Sequence, residues 1–457
     1  MKSGEKMQKR LLLVFFIILV ALFSIFGCSR NRVYELEKEE LFRLPIGTDD
    51  NAIGVKKTGS GMVMFPTQVV YKNGFFYMVD GVNSRIMKVT SRGDVIMILS
   101  KPRDGEMVEV SDENVIRTKH RNYYDFDNIG FIAVDNENNM YIENKFIRKI
   151  KKESEIELLG FEEQYEEELY FSYILKFDRL GYFQYSIGVN GVDSEPFFYV
   201  YKVTTNNEGN LIVITSDEEE KYWGYYEYDG NGNLLYKKSI KTEDVFNLKD
   251  IENATYFVMD VYPSLKDREL IFWISLYDTT HDTKEIKEEE SLWGEEIEIE
   301  NIEEYRKKQM KESKNYVRDL LYYKLLYYDL DTARVKSTYK WEERKDQNIS
   351  STEELLGFDR YLNGYLWKYA GNNSAIITIF KPNGANITRR RFNFDGDGLW
   401  TNISVDPDGS ISATKVTNKD VRFYIWRTEK LINAPSERKG IIELIKEKVR
   451  ELVNANR

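Results

Sequence analysis

One phrase recurs along this chain of 457 residues, and it limits the fold more than any other feature. It is an aliphatic strand, a turn with Gly, Asn or Asp, a second strand, then a charged strand and a Gly turn. The clearest copy runs Val69-Val70-Tyr71-Lys72, turns at Asn73-Gly74 and returns as Phe75 to Asp80. It continues through Asn83-Ser84-Arg85-Ile86-Met87-Lys88-Val89, turns at Arg92-Gly93-Asp94 and ends on Val95 to Leu99. Asn-Gly between two apolar runs is a strong local hairpin signal. Four short antiparallel strands in series make a β-meander, the unit of one propeller blade.

Five further copies follow. The second has Ile129 to Asp135, Met140 to Ile142, a charged excursion, Tyr173 to Asp178 and Tyr182 to Gly188. The third uses Tyr199 to Thr204, Asn210 to Ile214, Tyr225 to Asp229 and Leu234 to Ile240. In the fourth, Thr255 to Val261 and Leu270 to Tyr277 are separated from Tyr322 to Asp329 and Arg334 to Trp341 by a long insertion. The fifth runs Leu356 to Asp359, Tyr365 to Tyr369, Ala375 to Phe380 and Ile387 to Phe394. The sixth, Ile403 to Asp406, Ile411 to Thr414 and Val421 to Trp426, lacks a fourth strand. Leu41 to Gly47, ahead of the first copy, has the character of a fourth strand and is the natural filler, since a propeller has to close its ring and leave few open sheet edges. The expectation is an all-β, six-bladed propeller over residues 40–430. Seven or eight blades stay open because the excursions have room for further strands, and a plain β-sandwich accommodates six serial meanders poorly.

Composition narrows the function classes. The chain is 42% hydrophobic and 14% aromatic, so it is globular, and 32 Tyr and 25 Phe against 8 Pro suit many short strands. Residues 2–10 carry Lys2, Glu5, Lys6, Lys9 and Arg10, a net +3, which leaves the remainder at −14 from the chain's −11. An acidic body of this size argues against nucleic acid as a partner, because that binding rests on Lys and Arg neutralising phosphates.

The N-terminus reads as a lipoprotein signal peptide, residues 1–27, followed by a tether at 28–39. After the basic head, Leu11 to Phe26 is apolar except for Ser24, 16 residues in all and shorter than the roughly 20 that a spanning helix needs. Cys28, which closes this run, is the only cysteine, so it has no internal disulfide partner. Ile25-Phe26-Gly27-Cys28 resembles a relaxed lipobox, with Phe26 where a small residue is usual. The resemblance implies lipidation (palmitate among the acyl groups) at Cys28 and an exported domain held on the cell envelope, periplasmic or at the outer-membrane surface. The alternative, an uncleaved N-terminal anchor, also places residues 29–457 outside the inner membrane.

Two segments leave the repeat. Residues 281–320 are rich in Glu, followed by Arg306-Lys307-Lys308, with Ile302, Tyr305 and Tyr316 as sparse apolar points. They read as a solvated, partly helical insertion in blade four; a lid or docking arm is the sharper alternative. In the C-terminal part, 431–457, Ile442, Ile445, Val449 and Leu452 recur at helical spacing, widened by Ile441 and Leu444, with Ser436 as N-cap. This amphipathic helix is expected against one propeller face, the alternatives being a partner helix or lipid.

Phe65-Pro66, Tyr77-Met78-Val79-Asp80 and Asn83-Ser84-Arg85-Ile86 resemble the Pro, Val-x-Asp and Asn-x-Arg-Ile points of an NHL-type propeller repeat. The whole chain is similar to uncharacterised spirochaetal lipoproteins, through the relaxed lipobox, Ile174 to Gly181, Asp406-Pro407-Asp408-Gly409 and Phe423 to Arg427. That likeness implies a propeller and an envelope location but no activity, and no functional residue is carried over.

Several carboxylates end apolar strands: Asp80, Asp135, Asp178 and Asp406. Converging in a funnel they would hold Ca²⁺, as in a lactonase-like metal-dependent hydrolase. Asp at a strand end more commonly caps the following turn through backbone hydrogen bonds. Asp125 and Asp127, before blade two, are the best candidates for a metal site. No catalytic residue is assigned; there is no Gly-x-Ser-x-Gly, phosphate loop or Cys/His cluster, and the two histidines, His120 and His281, are isolated. Arg92-Gly93-Asp94 reads as a plain turn. The leading expectation is a binding or scaffold module whose ligand is an envelope protein or another molecule, with the hydrolase as the rival.

Overall fold

A computed structural model describes residues 34–57, 63–64, 68–101, 120–153, 164–188, 197–217, 220–246, 254–278, 320–341, 353–371, 373–394, 396, 398–428 and 431. The signal segment, Cys28, Phe65-Pro66, His281, nearly all of the 281–320 insertion and nearly all of the C-terminal segment lie outside the described residues.

Six antiparallel meanders follow one another. Blade 1 is Gln68–Lys72, Phe75–Asp80, Arg85–Thr90 and Val95–Ser100, with His120–Tyr123 added in parallel at its outer edge. Blade 2 is Asn128–Val134, Met140–Glu153, Gln164–Phe177 and Phe183–Ile187. Blade 3 is Val200–Thr205, Leu211–Ser216, Tyr222–Tyr228 and Leu234–Lys241. Blade 4 is Ala254–Pro263, Glu269–Asp278, Leu320–Asp329 and Arg334–Trp341. Blade 5 is Glu353–Phe358, Gly364–Gly371, Ser374–Phe380 and Asn386–Asn393. Blade 6 takes three strands from the C-terminal part, Leu399–Val405, Ile411–Val416 and Asp420–Trp426.

Its fourth strand is Glu39–Pro45, antiparallel to Asp420–Trp426, so the N-terminal strand closes the ring as the missing strand of the sixth repeat requires. Phe42 stacks on Phe423 at 4.4 Å and meets Phe76 of blade 1 edge-on at 5.2 Å. The closing strand therefore fills the junction between the last blade and the first.

Each junction has its own apolar cluster. Val69, Phe76 and Met87 pack with Phe42, Val421 and Phe423 between blades 1 and 6. Equivalent clusters join blades 1 and 2, 2 and 3, 3 and 4, 4 and 5, and 5 and 6. This packing explains why second and third strands are near-continuous apolar runs: both faces are covered by neighbouring blades. Phe76 to Asp80 is buried at every position, whereas the outermost strand Leu234–Lys241 alternates between half-buried and exposed until Ile240.

Three sequence expectations change. The described part of the charged excursion of blade 2 is strand, since Met140–Glu153 and Gln164–Phe177 pair residue for residue to Glu153 opposite Gln164. Charge hid that hairpin, because Lys149 to Glu153 and Glu166 to Glu168 carry no clear apolar alternation. The tether expected at 28–39 is already in the fold by Tyr34: Tyr34–Glu35 lies parallel to Asn386–Asn393 at the edge of blade 5, and Glu39 begins the closing strand. The unpaired N–H and C=O row of an outer strand accepts such a segment without any sequence periodicity. Finally, Leu320, placed in the insertion, belongs to the third strand of blade 4, opposite Tyr277.

Candidate functional site: the mouth of the central channel

A five-residue turn recurs around the disc. Asp135 Oδ1 accepts from the backbone N–H groups of Glu137 and Asn139, both at 2.9 Å, and its Oδ2 accepts from Asn139 Nδ2 at 2.8 Å. Asp359 does the same with Tyr361, Asn363 and the Asn363 side chain, and Asp229 with Asn231, Asn233 and the Asn233 side chain. Asn206 and Asp178 make the backbone half of the pattern. The fourth residue is left-handed in every copy, at Asn138, Gly181, Gly209, Gly232 and Leu362. A short Asx side chain satisfies the turn's N–H groups, and Gly or Asn tolerates the positive φ.

The turns after the first strands of all six blades gather round the central axis. They enclose a cavity of about 470 Å³ lined by residues from every blade, among them Lys72, Asn136, Asn207, Leu265, Arg360 and Asp408. Side-chain amides stitch the rim. Asn73 Nδ2 donates to Asn136 O at 3.3 Å, Asn136 Nδ2 to Asn207 O at 3.0 Å, and Asn207 Nδ2 to Arg360 O at 3.3 Å. Arg360 then gives both its backbone N–H and its Nε–H to Pro407 O at 3.0 Å.

Below the rim a further 350 Å³ of space runs between the first strands, bordered by Val70, Val134, Val203, Tyr262, Leu356 and Val405. Tyr71, Lys72, Thr205, Leu265, Asp406 and Pro407 line both spaces, so mouth and channel are continuous. Within the channel, Lys202 Nζ lies 2.9 Å from Asp260 Oδ1 and 3.7 Å from the Tyr262 ring centre. Tyr201 donates to the same Asp260 oxygen at 2.9 Å, and Tyr262 to Leu355 O at 2.9 Å. Burial lowers the Lys202 ammonium against the opposing pull of Asp260, and raises both phenols, which stay neutral donors.

The strand-end carboxylates go to separate tasks. Asp135 and Asp178 cap their turns. Asp406 is buried and accepts from the hydroxyls of Ser412 at 3.1 Å and Ser410 at 3.3 Å. Asp80 forms a fully buried ion pair with Arg85 at 2.9 Å and accepts from Gly54 N. Asp125 is 78% exposed and pairs with Lys101 at 2.7 Å. Asp127 accepts from Asn144 Nδ2 at 2.9 Å. Asp125 and Asp127 precede the first strand of blade 2, at the opposite end of that strand from the mouth. Among the described residues no three His, Cys, Asp or Glu side chains converge in a way that would hold a metal ion. Arg92-Gly93-Asp94 is the turn between the third and fourth strands of blade 1, with Gly93 left-handed against Phe42.

Sequence reading missed Lys72, Asn136, Asn207 and Arg360. The only signal was positional: each stands at or just after the end of a first strand, where every blade turns towards the axis.

Neither a protein-family profile nor a curated protein sequence matches the chain. Among solved structures it is similar to the Dos1 propeller, at 9% identity over 81% of this chain and 82% of that one, with a TM-score of 0.33. A luciferin-regenerating enzyme matches at 9% identity, over 79% and 91% of the two chains, with a TM-score of 0.33. The propeller domain of the Trilobed protease from Pyrococcus furiosus matches at 8% identity, over 81% and 99%, with a TM-score of 0.34.

Proposed function

We propose that this protein is an envelope lipoprotein, tethered through lipid on Cys28, whose propeller is a binding module with its ligand at the mouth of the central channel. One observation carries the reading: all six blades contribute to a single cavity whose rim is tied together by side-chain amides rather than left as loose loops. A rim held this way is pre-organised, so little ordering cost falls on binding. The lipid half rests on the lone cysteine at the end of the apolar run, and the likeness to NHL-type repeats and to spirochaetal lipoproteins agrees with both halves.

A photoreactive phenylalanine at Tyr361, exposed beside Arg360, tests the mouth against the same group at Leu235 on the outermost strand of blade 3. Defined crosslinked products from position 361 and not from 235, in intact cells, are expected. The same products from both positions would contradict a site at the mouth. Cys28→Ala tests the anchor: acyl labelling should vanish and uncleaved precursor accumulate, whereas unchanged mature mass and membrane partitioning would sink it.

A further inference from the structure

We propose that the mouth selects a small amphipathic oxyanion, its carboxylate or phosphate held by Lys72 and Arg360 and its apolar body directed into the channel. This rests on the binding-module reading above and adds the chemistry of the ligand.

Donors and acceptors at the mouth are unevenly spent. The carboxylates that line it are committed: Asp406 to the hydroxyls of Ser412 and Ser410 at 3.1 and 3.3 Å, and Asp408 to Ser410, whose N–H and hydroxyl reach it at 2.9 and 2.6 Å; nearby Asp135 serves three N–H groups of its own turn. Among the described residues the cations are not. Lys72 Nζ gives a hydrogen bond to Thr205 Oγ1 at 3.2 Å, and that hydroxyl itself donates to Val134 O at 2.7 Å. Arg360 gives its Nε–H to Pro407 O, which leaves the fork of its guanidinium for another acceptor. An ammonium has three donors and a guanidinium five, so both side chains bring unspent donors to the wall of one cavity. Burial lowers the Lys72 ammonium, Asp135 opposes that, and Arg360 adds a smaller push downward. Lys72 and Arg360 both line that cavity, so an anion at the mouth faces two cations. Guanidinium and ammonium together match a carboxylate or a phosphate.

The second half comes from the space beneath. Tyr71, Leu265 and Pro407 line both mouth and channel, and Val70, Val134, Val203, Leu356 and Val405 continue the wall downward. An ion with no organic body would leave that space to water. A compact apolar group attached to the anion would displace water from it instead.

Calorimetric titration of the full-length protein in detergent micelles, with four probes, tests both halves. Benzoate and phenyl phosphate carry anion and body, benzyl alcohol only the body, and inorganic phosphate only the charge. Benzoate or phenyl phosphate should bind at least about tenfold more tightly than either half-probe, and the ratio between the two tells carboxylate from phosphate. Lys72→Gln and Arg360→Gln should each weaken the better probe by about tenfold, the size of a lost charge-assisted hydrogen bond. Lys72→Arg should keep most of the affinity and shows that a loss in Lys72→Gln is not misfolding; Lys237→Gln, on the outermost strand of blade 3, should change nothing. Benzyl alcohol binding as tightly as benzoate, or unchanged affinity in both Gln variants, overturns the oxyanion. Inorganic phosphate binding as tightly as phenyl phosphate overturns the apolar body. The better probe should also suppress the crosslinks from position 361. Crosslinks that persist in a protein that binds neither anion refute the oxyanion alone, while loss of both refutes the mouth as a binding site.

Discussion

At the scale of single residues, two buried carboxylates show opposite solutions to one problem. Asp80 keeps its charge company: Arg85 Nε lies at 2.9 Å, Asn83 Nδ2 at 2.8 Å, and Arg85 also donates to Asp49 O and Ala52 O, which fastens the 47–54 segment to blade 1. Arg85→Ala leaves Asp80 buried without its cation and is expected to cost about 3–5 kcal/mol in urea unfolding; a cost below about 1 kcal/mol would mean that water replaces the pair. Gly54→Ala reaches the same site from the other side, since a Cβ there would stand 2.5 Å from Asp80 Oδ1 and 2.6 Å from Val82 Cβ. Asp406 has no cation partner among the described residues, and burial, helped by Asp408, pushes its carboxyl well above the usual range against the hydroxyls of Ser412 and Ser410. The folded chain then holds this proton more tightly than the unfolded chain. Its favourable contribution is present in acid and is lost as pH rises from the unfolded value, about 3.9, towards the folded one. Asp406→Asn should match the parent near about pH 4 and exceed it increasingly towards about pH 8 in urea melts, and parallel pH curves would contradict this. Most of these turns were legible, because Asp or Asn with Gly three residues on is local chemistry. Asp359-Arg360-Tyr361-Leu362-Asn363 makes the same turn with left-handed Leu362 in place of Gly, and there the signal was absent.

At the scale of elements, the closing strand is the most testable. Phe42 is buried between Phe423 and Phe76. Phe42→Ala should cost about 3–5 kcal/mol by the transfer and cavity terms, and deletion of 34–47 should lower the melting temperature of the whole disc in one transition. Unchanged melting after that deletion would show that the strand is dispensable. The long hairpin of blade 2 and the strand Tyr34–Glu35 escaped the sequence reading for one reason. Apolar alternation is what marks a strand in sequence, and neither the Lys- and Glu-rich hairpin nor a two-residue strand carries it. The 281–320 insertion joins the paired strands Glu269–Asp278 and Leu320–Asp329. Replacing residues 281–318 with a short Gly-containing turn is expected to leave the thermal transition unchanged, because those strands pair without it and surface loop length costs little closure entropy. A large drop in the transition would mean that the insertion packs on the disc.

At the scale of the whole molecule, stability and site have a common origin. Six apolar junctions hold neighbouring blades together round one axis, where the first strands form a channel wall and their turns a mouth. Glu227, buried, ties blade 3 to blade 4 by accepting from Arg268 at 2.8 Å, and it also holds Asn210 at 3.0 Å within the turn of blade 3. Tyr365 does the like between blades 5 and 6, giving its hydroxyl to Gly409 O at 2.9 Å. The mouth is therefore positioned by bonds between blades as much as within them.

By itself the sequence determined the meander, its sixfold repetition, the strand that closes it and the Asx turns, because each depends on hydrogen bonding and burial within a few residues or on a count of strands. Only the tertiary structure decided which side chains meet at the axis. Lys72 in blade 1 and Arg360 in blade 5 share no motif and stand far apart in the chain. They line one cavity because packing at the blade junctions curves the ring until the turns after its first strands converge, and a repeat seen one copy at a time carries no record of that curvature.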